Sequence, residues 1–202
     1  MGSVVTIGEP SWGYDSSDPS YLEWKVFAEL PPSGNQSESL GVAGPFVGVS
    51  NDSLIVAGGA NFPKPYWGEA KIWHDDIWVL DKTGVWHSGG KLPRPIGYGN
   101  SVTTDLGVLC MGGNDASNTY DEVFLLTWNS ATKSVQRENL PNLPSTLVYG
   151  AATTLGQKVY LAGGSETNEL STAMKNFWVL DLDKKGNDSF GWQELPSWPG
   201  PS

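Results

Sequence analysis

A short apolar strand ending in a pair of glycines occurs three times in this chain, as Leu54-Ile-Val-Ala-Gly-Gly59, Val108-Leu-Cys-Met-Gly-Gly113 and Val159-Tyr-Leu-Ala-Gly-Gly164. The copies are spaced 54 and 51 residues apart. A self-similar period of that length marks a supersecondary unit that stacks on copies of itself, which excludes most folds at once. Thirteen residues before the first glycine of each pair stand Pro45, Gly99 and Gly150, the last two following Tyr98 and Tyr149. That interval holds a strand, a tight turn and a second strand.

After each pair and a loop of variable length comes another apolar strand, at Asp76 to Asp81, Glu122 to Trp128 and Asn176 to Leu182. A fourth strand then runs into Leu-Pro, at Leu92-Pro93, Leu140-Pro141 and Leu195-Pro196; Trp86 and Trp192 mark it in the first and third copies. The 25 Gly, 14 Pro and 10 Trp, without any helical stripe of apolar residues, agree with an all-β chain. Four short strands per roughly 50 residues is the kelch period, in which each sheet is one blade of a β-propeller. The expectation is an irregular segment over residues 1–20, then a partial propeller over 21–202, with blades at approximately 41–95, 96–146 and 147–199.

Tyr21 to Pro31 carries the same Trp and Leu-Pro signature with no Gly-pair strand before it, and so reads as an orphan fourth strand. Glu194 to Ser202 stops where a further innermost strand would begin. The ring is therefore expected to be incomplete, in a truncated chain or one that closes by self-assembly, because open sheet edges invite association.

The run Gly41 to Phe62, together with Asp76 to Leu80, Arg94 to Ser101 and Trp192 to Pro201, resembles the N-acetylneuraminate epimerase family, the sialic acid mutarotases. The resemblance covers nearly everything from Tyr21 onward. Tyr149 to Pro201 is similar to the first blade of the bacterial enzymes and Gly41 to Trp128 to their last two, which implies a cyclically permuted branch. What the resemblance implies is a sugar isomerase that interconverts the anomers of a sugar acid by acid/base ring opening and closing, with no cofactor and no metal. It also implies a catalytic Glu on the blade preceding Gly41, followed by an Arg. In a permuted chain that blade comes last, so the catalytic residue itself is unassigned here; Gly8-Glu9 matches only the dipeptide. The reading from a different class is a kelch module that binds a protein or glycan without chemistry, which needs only a shaped face.

Twelve Lys and Arg against 22 Asp and Glu give a net charge of -10, which disfavours nucleic acid and anionic lipid. No apolar run approaches the roughly 18 residues of a membrane span, and Met1 to Pro10 lacks the regions of a signal peptide. A soluble chain of undetermined compartment is expected, although bacterial members of the resembled family are periplasmic. Cys110, alone, lies in an apolar strand pattern and reads as a buried thiol.

A sugar acid needs an anchor for its carboxylate, ideally a guanidinium, and only Arg94 and Arg137 exist. Arg94 lies on the link from one blade to the next innermost strand, where it can face the channel mouth or be a plain surface charge packed between prolines; Arg137 lies on an outer strand and reads as a solvated charge. The loops after the Gly pairs bring forward Asn61, Asn114, Asp115, Ser165 and Glu166, the last as a potential base. Asn and Asp after Gly are also ordinary turn residues. Tyr98 and Tyr149 could bond sugar hydroxyls or pack between blades. His74 and His87 lack a third ligand at suitable spacing, so no metal site is expected. The copper-oxidase variant of the kelch propeller, which needs a Cys joined to a ligand Tyr, fits poorly, and no phosphate-cradling Gly loop exists.

Overall fold

The computed structural model of the protein describes residues 27–66 and 68–199. Three four-stranded antiparallel sheets run in chain order. The first contains β1 (Phe46–Ser50), β2 (Ser53–Ala57), β5 (Asp76–Leu80) and β6 (Trp86–Lys91), with a two-stranded ribbon, β3 (Ala60–Asn61) and β4 (Ile72–Trp73), between its second and third strands. The second contains β7 (Asn100–Thr104), β8 (Gly107–Met111), β9 (Val123–Asn129) and β10 (Ser134–Leu140). The third contains β11 (Ala151–Leu155), β12 (Lys158–Ala162), β13 (Phe177–Asp181) and β14 (Gln193–Glu194). Each is a kelch-type propeller blade.

Period-two alternation sends successive side chains to opposite faces of a strand, and the middle blade uses both. Val108 and Cys110 of β8, with Phe124, Leu126 and Trp128 of β9, pack on Phe46, Ile55, Ile77 and Val79 of the first blade. Leu109, Met111, Val123 and Leu125 point the other way, onto Val159, Leu161, Trp178 and Leu180 of the third. Both faces of β8 are consequently buried, whereas β1 and β2 bury only alternate residues fully. Burial raises the Cys110 thiol well above its ordinary value, as for an inert core residue.

The innermost strands β1, β7 and β11 lie side by side. The edge of β1 is closed by side chains of its neighbour: the Val47 amide donates to Ser101 Oγ at 2.8 Å, the Val49 amide to Thr103 Oγ1 at 2.9 Å, and Ser101 Oγ donates to the Val47 carbonyl at 2.9 Å. At the opposite end Ser50 Oγ accepts from the Trp128 amide at 3.1 Å.

The Gly pairs have a specific task between blades. The Gly59 amide donates to the Ile96 carbonyl, and the Gly113 amide to the Leu147 carbonyl, both at 2.8 Å. A Cβ on Gly58 would lie 2.3 Å from the Ile96 oxygen, and one on Gly112 2.3 Å from the Leu147 oxygen. Both glycines also hold left-handed φ, +67° and +63°. No other residue type satisfies the contact and the conformation together.

Phe27 to Pro31, the described part of the expected orphan strand, is not in a sheet, and residues 21–26 lie outside the described residues. A strand needs a ladder partner, and no described strand offers Phe27 to Pro31 one. The faces of the first and third blades turned away from the middle blade carry exposed Val47, Val49 and Leu155. Among the described residues no helix is long and apolar enough to cross a membrane.

Gly112→Ala should cost about 2–4 kcal/mol, from left-handed strain plus a lost hydrogen bond. Gly163→Ala, at φ +62° with nothing described within 4 Å of its added Cβ, should cost only about 1–2 kcal/mol. Urea unfolding of the two variants measures the difference, and equal losses would remove the inter-blade role.

Candidate functional site

The links entering the innermost strands converge at one end of the blades. Gly44, Tyr98 and Tyr149 occupy equivalent positions with φ of 61°, 58° and 59°. The Tyr98 amide donates to the Gly44 carbonyl at 2.7 Å, and the Tyr149 amide to the Tyr98 carbonyl at 3.0 Å, so a backbone ladder steps from blade to blade. The two tyrosine rings meet edge to face, with centroids 5.5 Å apart. Left-handed backbone costs a bulky residue roughly 1–2 kcal/mol, offset here by the ladder and the ring contact.

Beside Tyr98 opens a cavity of about 600 Å³, walled by Gly41 to Ala43, by Asn61 of the ribbon, and by Phe62, Tyr66, Glu69 and Lys71 of its loop. The Lys71 ammonium lies 4.8 Å from the Tyr98 ring centroid, 5.3 Å from Trp73 and 5.7 Å from Phe62. Glu69 supplies a carboxylate to the same wall.

Asn114 is 1% exposed and joins all three blades. Its Oδ1 accepts from the Trp73 indole at 3.1 Å, and its Nδ2 donates to Asn168 Oδ1 and, at 3.5 Å, to the Tyr149 hydroxyl. The equivalent residues in the other blades, Ala60 and Ser165, are too short to make such a bridge. Asn61 lines the cavity, but its amide is consumed: Oδ1 accepts from Gln36 and His74, and Nδ2 donates to Gln36 and the Gly41 carbonyl. That is the full capacity of the group.

The remaining sequence-derived residues stand apart from the cavity. Arg94 pairs with Glu122 at 2.8 Å and stacks on Tyr120, 4.5 Å from the ring centroid, between the first two blades. Arg137 shares Glu122 at 3.5 Å and covers Phe124. Asp115 closes its own turn, accepting from the Ser117 and Asn118 amides and the Tyr120 hydroxyl. Burial pushes its carboxyl up, and the bonds from Tyr120, Ser117 and Asn118 outweigh that and hold it below the usual range. Ser165 is buried, bridging to Val148 and Ala173. Glu166 accepts from Ser145 at 3.1 Å on the exposed loop of the third blade. His87 binds Asp81 at 2.6 Å at the far side of the first blade. Among the described residues no group of three or more His, Cys, Asp or Glu is placed to hold a metal ion.

Sequence reasoning thus named Tyr98, Tyr149, Asn61 and Asn114 around the hub but missed Phe62, Tyr66, Glu69, Lys71 and Trp73. The signal available was the length of the loop after Gly59, with 16 residues before Asp76 against 8 between Gly113 and Glu122.

Asn114→Ala should destabilise the protein by about 2 kcal/mol in urea unfolding, since it leaves buried donors and acceptors unmatched; an unchanged midpoint would deny the bridge. His74, buried with Nε2 donating to Asn61 Oδ1, has its pKa lowered by burial against the opposing pull of Asp76 and Asp75. The unfolded chain takes up the proton near pH 6.5 and the folded one only below that, so this contribution is complete above about pH 6.5 and is lost as pH falls. Unfolding free energies at pH 7.5 and pH 5 should therefore differ less in His74→Gln than in the parent.

The N-acetylneuraminate epimerase family model matches residues 14–135. An N-acetylneuraminate epimerase of Brucella suis is 37% identical over 56% of this chain and 32% of its own length. That of Vibrio cholerae is 35% identical over 66% of this chain and 40% of its own length, and that of Yersinia pestis 32% identical over 57% and 32%. The matches thus span 32% to 40% of the length of these curated relatives. With the family match running over more than half of its residues, across the first blade and most of the second, this chain belongs to the N-acetylneuraminate epimerase family.

Proposed function

We propose that the chain forms part of an enzyme that interconverts the anomers of N-acetylneuraminate, with the sugar held in the cavity between the β3–β4 ribbon and Tyr98. The observation that carries this reading is the cavity itself. Its volume of about 600 Å³ suits a monosaccharide derivative, and it combines the aromatic faces of Phe62, Tyr66 and Tyr98 with one ammonium and one carboxylate. The names of the relatives supply the substrate and the reaction class.

Mutarotation requires one group to take the anomeric hydroxyl proton and another to protonate the ring oxygen; the open ketone then recloses on either face. Among the described residues Glu69 is the carboxylate on the cavity wall. The family resemblance implies a Glu on another blade, and Glu69→Gln separates the two assignments. In the whole protein further blades would cover the apolar outward faces of the first and third sheets. The family match ends inside β10 and leaves the third blade outside it.

The test is proton NMR of freshly dissolved α-N-acetylneuraminate with this chain, with the Vibrio cholerae relative as positive control. Binding should perturb Tyr98 and Trp73 signals, and anomer exchange should outpace buffer. If Glu69 is the base, Glu69→Gln should slow exchange about 100-fold or more. Binding without acceleration would assign the proton transfers to other blades. A chain that binds no sialic acid would sink the reading in favour of a kelch module that binds a protein or another glycan.

A further inference from the structure

Several cations near the site end of the blades are spoken for. Arg94 and Arg137 share Glu122, Lys91 pairs with Asp75 and Asp76, and Lys64 pairs with Glu38. Lys71 differs: among the described residues no carboxylate lies within ion-pairing distance of its ammonium. Other lysines also lack a carboxylate partner, but among the described residues Lys71 is the lysine that lines the cavity.

Three aromatic faces surround this ammonium instead, those of Phe62, Trp73 and Tyr98. Rings hold a cation by their quadrupoles and strip water from it, but they leave its charge unneutralised. Two of the rings are held from behind: Trp73 is pinned by its indole bond to Asn114, and Tyr98 is anchored through its backbone in the inter-blade ladder. The side chain they guide lines the cavity, so an anion entering there meets a partly desolvated positive charge. Glu69 lines the same cavity without approaching Lys71 closely enough to satisfy it.

We propose that Lys71 selects a sugar acid over a neutral sugar, its ammonium pairing with the carboxylate of the substrate; the proposal rests on the sialic acid reading above. Arg94, the sequence's candidate for that role, is occupied between blades by Glu122. Lysine acts here as a point charge whose direction is set by three rings, where an arginine would act through its planar fork.

The experiment compares dissociation constants of N-acetylneuraminate and its methyl ester, neutral at the same carbon, by NMR titration at low ionic strength. The parent chain should bind the acid about tenfold or more tightly than the ester, as expected for a charge-assisted hydrogen bond. Lys71→Met should bring that ratio to about 1, chiefly by weakening the acid, and Lys71→Arg should keep most of the preference. A Lys71→Met ratio equal to the parent's, or equal weakening of both ligands, overturns the proposal and leaves the sialic acid reading standing. A parent chain that binds neither ligand overturns the reading itself.

Discussion

The contact on which this architecture depends is a single backbone hydrogen bond repeated between blades, in which the link entering one blade gives its carbonyl to the Gly pair of the blade before. Ile96 meets Gly59 and Leu147 meets Gly113 at the same distance, 2.8 Å. Close approach of bare backbones fixes how far apart the sheets sit. Side chains then fill the remaining space, and the middle blade, apolar on both faces, glues its neighbours together. Hydrophobic burial drives the stacking but has no direction of its own. The Gly-to-carbonyl bond supplies the direction, because a hydrogen bond requires donor and acceptor to be aligned at close range.

Convergence at the hub follows from that constraint. Once the links are anchored on the Gly pairs, the residue two positions after Ile96 or Leu147 must turn sharply into the innermost strand. Tyr98 and Tyr149 therefore take the left-handed conformation and project rings toward each other. The ribbon of the first blade is bound into the same assembly through Trp73 and Asn114. A rigid floor of backbone ladder and buried amide thus lies beneath a cavity whose rim belongs to a loop.

The strand framework was legible in the sequence because it repeats. Gly pairs, third strands and Leu-Pro links recur at a fixed period, and a period of two within each strand marks its faces. The third strands begin within a residue of where the pattern puts them, at Asp76, Val123 and Phe177. The β3–β4 ribbon, Lys71 and Trp73 were not legible, since they occur in one blade only and have no counterpart to compare. Arg94 shows the opposite difficulty. Its rarity in the chain invited a functional role, yet its charge is answered by Glu122, 28 residues later in sequence, on a pairing no local pattern displays. Asn61 spends its polar atoms on Gln36 and His74, partners that no local pattern shows, and Asp115 on the turn beyond it.

The site is therefore read best from the departures from symmetry. At the position after the Gly pair the blades carry Ala60, Asn114 and Ser165, and only the middle one reaches across the hub. Before the innermost strand they carry Gly44, Tyr98 and Tyr149; the small residue in the first blade leaves the space that the Tyr98 ring enters, since a Cβ on Gly44 would lie 2.6 Å from that ring. A repeat with a tyrosine at all three positions would close the gap that Tyr98 now occupies. The asymmetry in size tilts Tyr98 toward the first blade, where the long loop brings Lys71 over its face. Repetition accounts for the scaffold, and the cavity exists because the first blade breaks the repeat twice, with a smaller hub residue and a longer loop.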